Sequence, residues 1–295
     1  MKITIHNIYL QIVKNLKPKQ IDKMSKQGSS FKEALQNVFA TSAILIAFIV
    51  SYILFTQIMG NPVNFEGLNP KGAALEGNYL GIIYKGGYIV PILMTCVLTL
   101  LIFIFERAIT LSRAKGKGRL NSFVSQLQGL LGEDKIEEAM EACDKQKGSL
   151  ANVMKAGLIR YRDLQNDKAL EKDQKILSIQ KSFEEATALE LPMLSKNMVI
   201  FSTLASISVL IGLIGTVLGM IRAFAALAQS GAPDALALAT GISEALINTA
   251  FGITGSTLAI IAFNYFSSTI DGYTFKIDEA GFSLTQNFAG SLKSN

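Results

Sequence analysis

A chain of 295 residues that is 49% hydrophobic and 17% charged, with mean hydropathy +0.34, carries too many long uncharged runs for a water-soluble globule. Its net charge of +5 does not indicate nucleic acid, because the basic residues are distributed as membrane topology would distribute them. Two cysteines, Cys96 in an apolar run and Cys143 in a charged one, and a single histidine, His6, supply neither a disulfide framework nor metal-ligand spacing.

Residues 1–39 hold seven lysines, with Ile5, Ile8, Ile12 and Leu16 at helical spacing. A basic helix on an anionic leaflet, a solvated helix and a disordered leader all fit that pattern. No cleavable signal peptide is expected, because the first apolar run starts only near Ala40. Residues 40–59 are uncharged and long enough, at 1.5 Å per residue, to cross the ~30 Å hydrocarbon layer, which predicts a first membrane span. The Gly-, Asn- and Pro-rich stretch 60–87 predicts an irregular connection. A second span follows over 88–106, with Pro91 in its first turn, where the missing N–H costs little, and with Glu106 and Arg107 closing it.

Residues 107–197 carry sixteen Lys/Arg and thirteen Asp/Glu and predict a helical domain outside the bilayer, with amphipathic segments 120–131, 135–144 and 169–189. Ile176, Ile179, Phe183, Ala186 and Leu189 share one stripe. Beyond it the helix either runs through Pro192 into the membrane or kinks there. The stretch 198–270 then has only Arg222, Asp234 and Glu244 as charged residues in 73 positions. It predicts a helical hairpin: span 198–228, turn 229–234 and span 235–270, with a tail over 271–295. The segments 1–39 and 107–197 hold 23 of the 28 basic residues, so the positive-inside rule puts them and both termini in the cytoplasm. The expected fold class is an all-α integral membrane protein with four transmembrane helices, whose long helices extend into a cytoplasmic helical domain.

The hairpin is rich in small and polar residues. Gly212, Gly215 and Gly219 on the third span and Gly241, Gly252 and Gly255 on the fourth make small-residue faces that let two helix backbones approach closely. Glu244 is different, since an acidic side chain in a bilayer costs about 2.5–3.5 kcal/mol on insertion scales and packing does not require it. It reads either as a protonatable group in an ion path or as a carboxylate near the headgroups or neutralised by Arg222. Counted from the turn, Thr216 and Thr249 lie at one depth, so their hydroxyls either relay a proton or bond back to their own helix carbonyls. Arg222 lies about three residues, or ~4.5 Å, from Glu244 in depth. It either pairs with the carboxylate or snorkels to the headgroups. No phosphate loop, His-Glu pair or nucleophile elbow is present, so no enzyme activity is expected.

GLIGTVLGMIRAF (212–224) and GISEALINTAFGI (241–253), supported by GGYIVPIL (86–93) and ERAITL (106–111), resemble the proton-channel subunits of the MotA/TolQ/ExbB superfamily, most of all ExbB-like members from Bacteroidetes. The resemblance covers about residues 80–270. It implies a homo-oligomeric ring, a pentamer, around the helices of ExbD/TolR-like subunits in the bacterial inner membrane, with proton flow energising a TonB-like protein for outer-membrane transport. It also implies a proton pathway through Glu244, Thr216 and Thr249, with no cofactor beyond protons and bound lipid. The prolines frequent in the family near Ser208 and Ser256 are absent, Arg222 stands where a neutral residue is common, and the first span is extra. A TolQ-like or gliding-type stator, or a membrane scaffold that conducts nothing, are the alternatives.

Overall fold

The computed structural model describes residues 41–70, 72–165, 170–228 and 235–294, with side chains to 290; the expected leader 1–39 and turn 229–234 lie outside it. Among the described residues there is no β-strand, only an isolated bridge between Phe65 and Ala74. Besides two short 3-10 turns, nine helices form among the described residues: α1 Thr41–Met59, α2 Tyr79–Tyr84, α3 Ile89–Lys115, α4 Leu120–Gly132, α5 Ile136–Gln146, α6 Gly148–Gln165, α7 Lys172–Leu194, α8 Met198–Leu227 and α9 Ala235–Ser294. Among the described residues, four helical stretches, containing α1, α3, α8 and α9, are long and apolar enough to cross a membrane.

Helix α1 buries a narrow stripe of Ala43, Ala47, Ser51 and Phe55 at four-residue spacing and leaves Leu45, Ile46 and Ile49 exposed, as suits a helix with lipid on most sides. The connection 60–87 is more ordered than its composition suggests. Asn64 donates to the carbonyls of Ile58 and Met59, and Asn78 donates to Asn64 while capping α2. Tyr84 stacks on Phe55 and meets Phe65 edge-on. These contacts pin the connection over the end of α1 and deliver Gly86 and Gly87 to the start of α3.

Helix α3 does not stop at Arg107; it continues to Lys115, where Gly116 takes φ +74. Arg107, 1% exposed, is held by both oxygens of Glu106 and donates to the Leu194 carbonyl at 3.2 Å. Asn197 donates to the same Glu106. That cluster grips the junction between α7 and α8. Pro192 lies inside α7, and the chain breaks only after Leu194, at the turn where Asn197 adopts the left-handed φ of +60 that asparagine tolerates. The junction is therefore neither a continuous rod nor a kink at the proline. Leu189, expected on the buried stripe, is 77% exposed, because the domain's core ends above it.

The helix that carries the fourth span does not end at residue 270. α9 runs 60 residues, roughly 90 Å at 1.5 Å per residue, and residues 271–294 of the expected tail are its last two fifths. Ile277, Ala280, Leu284 and Phe288 recur at three- and four-residue spacing and enter the domain core with Phe123, Leu127, Met154, Leu158, Ile179 and Phe183. A second apolar belt of Leu100, Phe103, Met198, Phe201, Ala259 and Phe266 joins α3, α8 and α9 at the level of the Arg107 cluster. One helix thus belongs to both the membrane bundle and the domain.

Candidate functional site

The α8–α9 contact is built on missing side chains. A Cβ on Gly219 would stand 2.7 Å from the Ala245 nitrogen, one on Gly241 would stand 2.7 Å from the Ala223 nitrogen, and Gly212 and Gly252 face each other with their Cα atoms in the way. Only glycine allows backbones so close. Gly215 admits the Asn248 side chain, and Gly255 lies beside Ser208. The six glycines read from the sequence therefore all lie on the packing faces of this pair.

That close seam carries two polar groups. Toward the turn, Glu244 is 3% exposed, and Arg222 Nη1 donates to both of its oxygens. Arg222 does not snorkel away: its guanidinium carbon sits 4.9 Å from the ring centre of Tyr88, a cation–π contact, and its side chain is 44% exposed. The carboxylate fits because Gly87, at φ +73, has no side chain; a Cβ there would come within 2.6 Å of Glu244 Oε1. The start of α3 thus closes over the ion pair.

Five residues deeper along α9, Thr249 and Thr216 of α8 place their hydroxyls in direct hydrogen bond. Both also bond to helix carbonyls, Thr216 to Gly212 at 3.2 Å and Thr249 to Ala245 at 3.1 Å. The back-bonding alternative read from the spacing is therefore present, and beside it the two hydroxyls bond to each other across the seam. Both threonines are half-buried. Glu244 and Thr249 lie about 140° apart around α9 at 100° per residue: Glu244 meets Arg222 of α8 beside Gly87, and Thr249 meets Thr216 of α8 farther round the helix.

Sequence reasoning missed Gly86, Gly87 and Tyr88 as parts of this site. Asn248 is buried and donates from Nδ2 to the Gly86 carbonyl at 2.9 Å. Among the described residues no group of three or more His, Cys, Asp or Glu is placed to hold a metal.

Residues 145–279 match the MotA/TolQ/ExbB proton channel family. An ExbB-like biopolymer transport protein of Synechocystis sp. is 37% identical over 89 residues, covering 30% of this chain and 42% of that one. The biopolymer transport protein ExbB of Pseudomonas putida is 27% identical over 164 residues, 56% of this chain and 48% of its own length. The Tol-Pal system protein TolQ of Pseudomonas aeruginosa is 26% identical over 167 residues, 57% and 71%. The chain thus spans under half the length of the first two and more of the third. Helices α1, α2, α3 and α4 and all but the end of α5 lie outside the family match.

Proposed function

Because residues 145–279 belong to the MotA/TolQ/ExbB proton channel family, we propose that this chain is an ExbB-like stator subunit that lets protons cross the bacterial inner membrane and turns their energy into movement of partner proteins. The supporting observation is Glu244: a carboxylate 3% exposed on a membrane helix, within the family-matched hairpin, one helical turn and a residue from a hydroxyl pair. A group of this kind takes a proton at one side and releases it at the other. Each proton gains about 2.3 kcal/mol per 100 mV crossed, enough to bias a choice between packed states. The domain and both termini are cytoplasmic in this reading, as the distribution of basic residues requires.

The polar seam faces a central lumen of a homo-oligomer, a pentameric ring, filled by helices of ExbD/TolR-like subunits, and a TonB-like protein receives the motion. The exposed apolar face of α8, with Leu213, Ile214, Val217, Ile221 and Phe224, supports burial against neighbouring subunits or partner helices. A TolQ-like role for the same ring draws support from the TolQ relative, and a gliding-type stator is a further alternative. The Arg222–Glu244 bond favours a second reading of another class, a scaffold in which the carboxylate is paired and silent. Cells carrying Glu244→Gln separate these: the stator reading expects loss of proton-motive-force-dependent activity while the oligomer still assembles. Full activity from an assembled Glu244→Gln protein makes the carboxylate dispensable and favours the scaffold.

A further inference from the structure

Asn248 has a buried polar atom that the reading above does not use. It is 0% exposed, and its amide orientation is set by the Gly86 carbonyl, which accepts from Nδ2 at 2.9 Å. Turned over, the amide would set oxygen against oxygen. Oδ1 is left as a buried acceptor without a hydrogen-bond partner among the described residues. Such an atom carries its desolvation cost uncompensated, and a glycine-lined helix contact has no packing need for it.

The position of Asn248 indicates what the atom serves. It follows Glu244 by four residues, only 40° around α9 at 100° per residue, and it precedes Thr249. Its side chain fills the space left by Gly215, where an added Cβ would meet Asn248 Cβ at 2.5 Å and Nδ2 at 2.8 Å; the next residue on α8 is Thr216. Gly86, which anchors the amide, adjoins Gly87, which makes room for the carboxylate. Glu244 and Thr249 point too far apart around α9 to pass a proton directly, and Asn248 lies between them in height.

Resting on the proton-path reading, we infer that Asn248 Oδ1 holds a water between the Glu244 carboxyl and the Thr216–Thr249 hydroxyl pair and is the positioning residue for transfer between them. A protonated Glu244 gives its proton to that water as the water passes one of its own toward the hydroxyls. Asn248 stays neutral, and the water is restored.

Proton uptake by inverted membrane vesicles containing the full-length chain in its native assembly tests this with two near-isosteric variants. Asn248→Leu removes donor and acceptor; Asn248→Asp keeps an acceptor; both lose the Nδ2 donation to Gly86. The inference expects Asn248→Leu to cut uptake by about tenfold or more and Asn248→Asp to stay within about threefold of wild type, at matched assembly. Asn248→Ser, which also retains an acceptor, replaces the aspartate variant if that one fails to assemble. Equal losses in the leucine and acceptor-bearing variants would assign Asn248 to anchoring α3 and overturn the inference, as would undiminished uptake in Asn248→Leu. Glu244→Gln run alongside distinguishes the failures. If it blocks uptake while Asn248→Leu conducts, the proton path stands without Asn248; if it conducts like wild type, the path falls and the inference with it.

Discussion

Glu244 is kept in an apolar bundle by three residues from two distant places in the chain: the guanidinium of Arg222, the absent side chain of Gly87 and the Tyr88 ring that braces the guanidinium. Removing one charge strands the other, at a cost below the 3–5 kcal/mol of a fully buried pair because Arg222 is 44% exposed. A double-mutant cycle of Arg222→Met and Glu244→Gln, read by thermal unfolding in detergent, should therefore give a coupling of about 1–3 kcal/mol; additive effects would mean the pair contributes nothing. Gly87→Ala meets a left-handed φ and the carboxylate oxygen together and should destabilise by about 1–2 kcal/mol. Far from the site, burial first and the neighbouring Asp144 second push the Cys143 thiol from 9.0 up to about 12. The neutral thiol is thus favoured by folding. That contribution is whole below 9.0 and is lost as pH rises through about 12. Native protein should resist alkylation at Cys143 at mildly alkaline pH and react once unfolded; fast native labelling would contradict the burial.

Among the helices, the α8–α9 pair depends on glycine only where backbones touch. Gly219→Ala inserts a methyl 2.7 Å from a backbone nitrogen that has no room to yield and should cost about 1–3 kcal/mol. Gly272→Ala, on the same α9 but with nothing within 4 Å of the new Cβ, should gain roughly 0.5–1 kcal/mol from helix propensity. Melting both variants checks the contrast, and equal effects would deny the close approach. The four spans were legible in the sequence because an uncharged run is a property of contiguous residues. Glu244 stood out because carboxylates are rare there, and counting depth from the turn brought Thr216 and Thr249 level. The Gly86–Asn248 contact was not legible: 162 residues separate its members, and helical periodicity does not report which loop closes over which helix. Asn197 likewise gave no warning that it, rather than Pro192, takes the break. Ile277, Ala280, Leu284 and Phe288 did show the period that carries α9 into the domain core, though a solvated tail has no need of it.

Across the whole molecule, α9 connects the membrane seam to the domain core, and the Arg107 cluster fastens α3 to the α7–α8 junction, so the bundle and the domain share elements rather than a linker. Arg107→Met leaves the Leu194 carbonyl and Glu106 without their buried partner and should destabilise by about 3 kcal/mol, measured as a lowered unfolding midpoint; an unchanged midpoint would mean the cluster does not hold the junction. In the ring arrangement proposed, Thr216→Cys or Thr249→Cys should crosslink to a partner subunit's helix, while Ile46→Cys and Ile49→Cys on the exposed face of α1 should not; trapping from α1 instead would reverse which side faces the lumen. Potential-driven proton entry into vesicles carrying the assembled protein, compared between wild type and Glu244→Gln at equal assembly, tests the central claim most directly. A proton path through the buried carboxylate predicts that entry falls to the level of vesicles lacking the protein; entry equal to wild type would contradict it.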